Sequence, residues 1–221
     1  MIEGLLKQVQ AALPTHIRVL VLADRGIGTS PDLCRAVEGL GWQYLFRVTC
    51  QTKIVAEVGE FTIAQQVKAG EIWAMEGKIF KKRGQIPAHA RALWSLGYDE
   101  PWALVTNDAR LTGHEYARRN WQEQSFRDLK SGGWQWGDSR IHHADHMERL
   151  LVLLVLAYAY MLALGSQAIA ESPFSLLPRH KDGRLTRHRS LFHEGLDYFV
   201  ACIQRLSICP RLCFIPDRRF T

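Results

Sequence analysis

Between Tyr116 and Lys130 the chain reads Tyr-Ala-Arg-Arg-Asn-Trp-Gln-Glu-Gln-Ser-Phe-Arg-Asp-Leu-Lys, and the spacing of its polar residues suits an α-helix better than any other element. At about 100° per residue, Tyr116, Arg119, Glu123, Arg127 and Lys130 fall within roughly 80° of one another around a helix axis, giving one continuous polar face. A single acid among cations and a phenol could hold a metal ion through Glu123 while Arg119 and Lys130 grip phosphate oxygens. The same spacing also suits a solvated helix face laced with favourable charge pairs.

Around this run the texture of the chain changes twice. An amphipathic opening that ends near Pro14 is followed by Ile17-Arg-Val-Leu-Val-Leu22, an aliphatic run of strand length that leads into Ala23-Asp24-Arg25-Gly26. An aspartate at the carboxyl end of a buried strand sits where α/β proteins place ligands and catalytic groups, although Asp-Arg-Gly is also good turn chemistry. A helix over 31–40 and a strand at Tyr44-Leu-Phe-Arg-Val48 complete a βαβ unit with parallel pairing. From 49 to 112, alternating segments such as Lys53-Ile-Val-Ala-Glu-Val58, Ile72-Trp-Ala-Met75 and Lys78-Ile-Phe-Lys81 are punctuated by glycines, which predicts short antiparallel strands with a hairpin turn at Glu76-Gly77-Lys78. Trp102-Ala-Leu-Val-Thr106 closes that series, and helical texture resumes at His114.

The spacing Tyr-x2-Arg-x3-Glu-x6-Lys, followed by Ser131-Gly-Gly-Trp134, resembles the YREK signature of DDE transposases of the bacterial insertion-sequence 4 type. The resemblance implies an RNase H-like α/β core with an inserted antiparallel β subdomain and C-terminal helices. The corresponding divisions are a partial core over 1–48, the β-rich insertion over 49–112, the catalytic-glutamate helix and C-terminal helices over 113–207, and a tail over 208–221. Asp24 and Glu123 resemble the second and third acids of the DDE triad, which act as catalytic ligands of two Mg²⁺ ions. Tyr116, Arg119 and Lys130 resemble DNA-binding positions, and Trp102 resembles the insertion-domain tryptophan that stacks on a flipped base. A core tryptophan in a strand is the other reading of Trp102. The partner implied is double-stranded DNA, as transposon ends and target, and the synaptic complex of the family is compatible with a homodimer. The activity implied is metal-dependent strand cleavage and strand transfer in DNA transposition.

The family's first acid lies on a core strand ahead of the helix at which this chain opens, and only Glu3 precedes Asp24 among the acids. The expectation is therefore a C-terminal portion whose first core strands are missing, whose metal site is incomplete, and which is inactive alone. Its alternative role is that of a non-catalytic DNA-binding remnant that binds transposon ends or interferes with an intact transposase.

Composition adds the compartment and the partner's sign. A formal net charge of +6 over 221 residues favours a polyanionic partner. Five scattered cysteines, with no paired CxxC motif, suit a reducing cytoplasm and give no reason to expect zinc. The apolar run 150–164 is shorter than the roughly 20 residues of a bilayer span, which predicts a buried core helix and no membrane. His142, His143 and His146 read as the polar entry to that helix rather than as ligands, since a DDE site uses oxygen donors. The basic stretch 179–189 reads as phosphate contacts or as a solvated loop.

Overall fold

A computed structural model of the protein describes residues 2–81, 84–171 and 190–205, without the side chains of Ser131 and Glu171. The expected loop at 172–178, the basic stretch 179–189 and the tail with Cys209 and Cys213 lie outside the described residues. Two compact units are present, Met1–Arg119 and Asn120–Thr221.

The first unit is built on one sheet. Helix α1 (Ile2–Ala12) precedes strand β1 (Leu20–Ala23), helix α2 (Pro31–Gly39) and strand β2 (Gln43–Arg47). Ser30 caps α2 by accepting from the Leu33 amide at 3.3 Å, and Pro31 stands in the first turn, where a missing N–H costs nothing. Strands β1 and β2 pair in parallel from Leu20↔Gln43 to Ala23↔Phe46. Antiparallel strands follow, β3 (Lys53–Ala56), β4 (Gly59–Thr62), β5 (Ile72–Ile79), β6 (Ile86–Leu93) and β7 (Trp102–Thr106). The order across the sheet is β1-β2-β7-β6-β5-β3-β4, so the β-rich segment continues the sheet begun by β1 and β2. Strand β7 enters between β2 and β6 and runs antiparallel to both.

Strand β2 is buried on both faces, as its near-continuous apolar sequence requires. Tyr44 and Phe46 stack at 4.7 Å on the face covered by Cys34 and Val37 of α2, while Leu45 turns to the other face with Leu93, Leu104 and Tyr116. Beneath Tyr44 and Phe46, strand β6 offers only Ala88, Ala90 and Ala92, small side chains that leave room for the large ones. Burial pushes the Cys34 thiol up to about 12, which keeps it protonated and unreactive.

The hairpin expected at Glu76-Gly77-Lys78 does not form. Strand β5 runs straight through Gly77, and the glycine serves a close approach instead: a Cβ there would lie 2.4 Å from the Val55 carbonyl oxygen on β3.

The second unit is helical. Helix α3 (Arg119–Arg127) begins at the boundary and passes into a π-helical turn, Asp128–Gly132. Helix α4 (Ala144–Glu171) and helix α5 (Leu191–Gln204) then pack on each other. They cross at two glycines, where a Cβ on Gly165 would lie 2.0 Å from the Leu191 carbonyl oxygen and one on Gly195 would lie 1.8 Å from that of Met161. Phe192, Met161 and Leu164 fill the seam around the crossing.

Helix α4 is longer than the apolar run that marks it. Its stretch Ala144–Ala170 contains an 18-residue window with a mean hydropathy of 1.9, long and apolar enough to cross a membrane by length and composition, and 33% of that window is buried. The burial expected of a core helix is confined to its second half, which meets α5, whereas Val152, Leu153, Val155 and Leu156 are each more than half exposed.

The glycine crossing makes a specific stability difference. Gly195→Ala is expected to cost about 2 kcal/mol or more in denaturant unfolding, because the methyl group meets backbone that cannot give way. Gly137→Ala, where nothing lies within 4 Å, is expected to change stability by less than about 0.5 kcal/mol. Equal effects would contradict the crossing.

Candidate active site at a strand-end aspartate

Asp24 follows the last residue of β1, and its carboxylate shapes the turn that leaves the strand. Oδ1 accepts from the amides of Gly26 at 3.0 Å and Ile27 at 3.3 Å, while the Asp24 carbonyl accepts from Gly28 at 2.7 Å. Gly28 is packed so tightly over the end of β2 that a Cβ would lie 2.4 Å from the Arg47 carbonyl oxygen. The other carboxylate oxygen, Oδ2, accepts from Arg119 Nη2 at 3.2 Å. Asp24 is thus a turn aspartate through one oxygen and the partner of a signature residue through the other. Its side chain is 48% exposed and that of Arg119 25% exposed.

Further charges gather at the same end of the sheet. Because β7 runs antiparallel to β2, its first residues lie level with the carboxyl end of β2, where Arg47 pairs with Leu104. Glu100, just before β7, accepts from Arg47 Nη2 at 2.5 Å and lies 3.5 Å from Arg25 Nη1. Arg25, Arg47 and Arg119 therefore stand with Asp24 and Glu100, a local surplus of one positive charge (three minus two). Arg47 was legible in principle, since it ends a strand parallel to the one that ends at Asp24. Glu100 lies in a loop, and no sequence pattern marks it.

The signature residues adopt three kinds of helix rather than one. Gly113 turns the chain through a φ of +100°, and Glu115 accepts from its amide at 2.9 Å, which starts a short 3-10 helix over His114–Arg118. The loop before it is clamped by Arg91, whose buried guanidinium donates to the carbonyls of Ala109 at 2.7 Å and Leu111 at 2.9 Å. Tyr116 consequently points into the core, 4% exposed, against Leu45, Leu93 and Leu104. Trp102, half-buried at the start of β7, sets its ring edge-on to Tyr116 at 5.2 Å and to Tyr98 at 6.4 Å. Arg119 opens α3, Glu123 is exposed on it, and Lys130 is exposed in the π-helical turn. The single polar α-helical face expected over 116–130 is therefore replaced by a buried tyrosine on a 3-10 turn, an α-helix carrying Arg119 and Glu123, and a π turn carrying Lys130.

One acid in the signature segment escaped sequence reasoning. Asp128 is 1% exposed, and its carboxylate accepts from Gln124 Nε2 at 3.0 Å, the Tyr158 hydroxyl at 3.2 Å and the Ser190 hydroxyl at 3.4 Å. Burial pushes the Tyr158 phenol up, so it remains a donor. Nothing in the local spacing distinguishes Asp128 from the exposed charges beside it.

Asp24 suits a hard divalent cation by donor type. A carboxylate offers about four lone-pair sites, and three are taken here by two amides and one guanidinium. Glu123, also an oxygen donor by type, belongs to the second unit. Among the described residues no group of three or more histidine, cysteine or acidic side chains is close enough together to hold a metal ion. The residues fit the ion as individual oxygen ligands, and Arg119 occupies the position from which one of them would be taken.

A family model described as a transposase DDE domain matches residues 1–160. The chain belongs to this transposase family. The match spans the whole sheet, α3 and the first part of α4, and so includes Asp24, Trp102, Tyr116, Arg119, Glu123 and Lys130. No curated protein matches the chain. Members of the family generally use divalent metal ions, and the mixed α/β architecture with a seven-stranded sheet is consistent with a DDE transposase fold.

The burial of Tyr116 in this transposase domain has a measurable consequence. Tyr116→Ala is expected to destabilise the protein by about 3 kcal/mol or more, as for other large core aromatics. A Tyr116→Ala loss below about 1 kcal/mol would contradict the core placement.

Proposed function

We propose that this chain acts on DNA as a DDE transposase of the insertion-sequence 4 type, with an RNase H-like core and a Mg²⁺-dependent strand cleavage and transfer chemistry. The observation that carries the reading is the contact between Asp24 and Arg119: the strand-end acid and the signature arginine, 95 residues apart, share one hydrogen-bonded ion pair. Bound divalent ions would supply Lewis-acid activation of an attacking hydroxyl and would stabilise the leaving oxygen. Asp24 and Glu123 serve as carboxylate ligands in this reading. Arg119 exchanges its carboxylate partner for a DNA phosphate, to which a planar guanidinium offers two parallel donors. Lys130, a compact charge, makes a second phosphate contact.

Trp102 offers its exposed ring surface to an extruded base, a contact worth roughly 1–3 kcal/mol. Tyr116 contributes from below, by fixing the indole at 5.2 Å rather than by meeting DNA directly. Such a protein works on the DNA of its own cell, in the cytoplasm.

A second reading, DNA binding without cleavage, is favoured by the dispersion of carboxylates among the described residues, where no three come together. Both readings require duplex binding that weakens steeply with salt. Fluorescence anisotropy on labelled duplex DNA is expected to show this dependence, with Arg119→Ala and Lys130→Ala each reducing the logarithmic salt slope by about 0.9. Salt-independent binding, or slopes unchanged in both variants, would refute the DNA interface. Plasmid nicking that needs a divalent ion and disappears in Glu123→Gln decides for catalysis, and ion-independent or variant-independent nicking decides against it.

A further inference from the structure

We infer that Asp128 is a positioning residue for the signature segment: it fixes the bearing of α3 and the π turn, and so of Glu123 and Lys130, through bonds from three separate helices. The inference rests on the roles given above to those two residues and concerns only the second unit.

Asp128 lies five residues after Glu123 and two before Lys130, at the junction where α3 gives way to the π-helical turn. Its carboxylate receives Gln124 Nε2 from α3, the Tyr158 hydroxyl from α4 and the hydroxyl of Ser190, the residue that caps α5. The same Ser190 hydroxyl is 2.9 Å from His193 Nδ1, which itself lies 4.0 Å from the carboxylate. Tyr158 also reaches Ser125 of α3 at 3.3 Å. The backbone carbonyl of Asp128 accepts from the Trp134 amide at 3.0 Å and closes the π turn from its far end. Arg118, Glu123, Arg127 and Lys130 are exposed and the Arg119 side chain is 25% exposed, whereas Asp128 is 1% exposed.

Burying a carboxylate is costly unless its lone pairs are filled, and this one is filled only while α3, α4 and the start of α5 keep their mutual arrangement. A π turn is a helical irregularity with poorer hydrogen bonding that recurs near functional sites, and alone it would let Lys130 shift in azimuth and height. Seated by Asp128, it presents Lys130 in one orientation. The exposed apolar residues Trp121 and Phe126 give α3 little packing of its own, so the polar anchor rather than a hydrophobic seam sets the helix bearing.

Two variants separate anchoring from bulk stability. Asp128→Asn can keep its carbonyl oxygen at the Oδ1 position, where Gln124 and the Ser190 hydroxyl donate, and sets an NH2 before the Tyr158 hydroxyl, whose oxygen can accept, while Asp128→Leu keeps the volume but removes every acceptor. In hydrogen exchange on the full chain, Asp128→Leu is expected to speed exchange of amides 120–127 about tenfold, the worth of one charge-assisted hydrogen bond, with amides 161–167 of α4 unchanged. Asp128→Asn is expected to restore exchange to within about twofold of the unmodified protein. Unchanged exchange over 120–127 in Asp128→Leu would overturn the inference, as would equal acceleration across α4.

The second readout is a double-mutant cycle with Lys130→Ala in binding to labelled duplex DNA. Asp128→Leu is expected to weaken binding several-fold alone and to add nothing once Lys130 is removed. Independent, multiplying effects would show that Asp128 does not act through Lys130. If Lys130→Ala alone leaves binding unchanged, it is the phosphate role of Lys130 that fails, and exchange over 120–127 decides whether Asp128 holds the helix.

Discussion

Strand β7 is hydrogen-bonded on both sides, to β2 and to β6, and the geometry of the first unit follows from that double pairing. A strand inserted antiparallel beside β2 must begin at the carboxyl end of the parallel pair and finish at the other end. Its beginning brings Glu100 and Trp102 level with Arg47 and the turn after Asp24. Its end is extended by Asn107, whose side chain accepts from the Tyr44 amide and donates to the Trp42 carbonyl, both at 3.0 Å, mimicking one more step of the ladder. From there the chain must cross the sheet again to deliver Tyr116 and Arg119. Arg91 supports that return by donating to two loop carbonyls that have no strand partner.

The strand-end site is consequently assembled from parts of the chain that are far apart in sequence and rigidly placed in space. Asp24 is oriented by its own turn, Arg119 by the start of α3, and the pair Arg47–Glu100 by the β2–β7 register. Charge is nearly balanced: each carboxylate has a guanidinium partner and one guanidinium is in excess. Such a site tolerates the absence of a polyanion without leaving a carboxylate uncompensated, and its arginines remain accessible to phosphate because their side chains are only partly buried.

Much of this was legible in the sequence because it depends on local pattern. The βαβ start, the strand-end position of Asp24 and the antiparallel texture after Thr49 can be read from spacing and composition, and the transposase family from a resemblance. The features that escaped are those set by tertiary contact. Gly77 carries the same local signal as a turn glycine, and only the proximity of β3 makes it a mid-strand glycine. Tyr116 shares the helical spacing of Arg119 and Glu123, but the left-handed entry at Gly113 and the apolar pocket of Leu45, Leu93 and Leu104 draw it inward. Asp128 is one charge among several until Tyr158 and Ser190, contributed by later helices, enclose it. Helix α4 has the polar entry expected before its apolar run, and it also extends beyond that run to Glu171, where Gly165, Ser166 and Gln167 dilute the apolar signal.

The central claim is that the Asp24 carboxylate takes a divalent ion at the expense of its bond from Arg119. Paramagnetic broadening by Mn²⁺ in ¹H–¹⁵N spectra of the full chain with duplex DNA tests it directly. Selective broadening of the amides of Gly26, Ile27 and Gly28, abolished in Asp24→Asn and strengthened in Arg119→Ala, is the expected result. Broadening that spares residues 24–28, or that persists unchanged in Asp24→Asn, would contradict it.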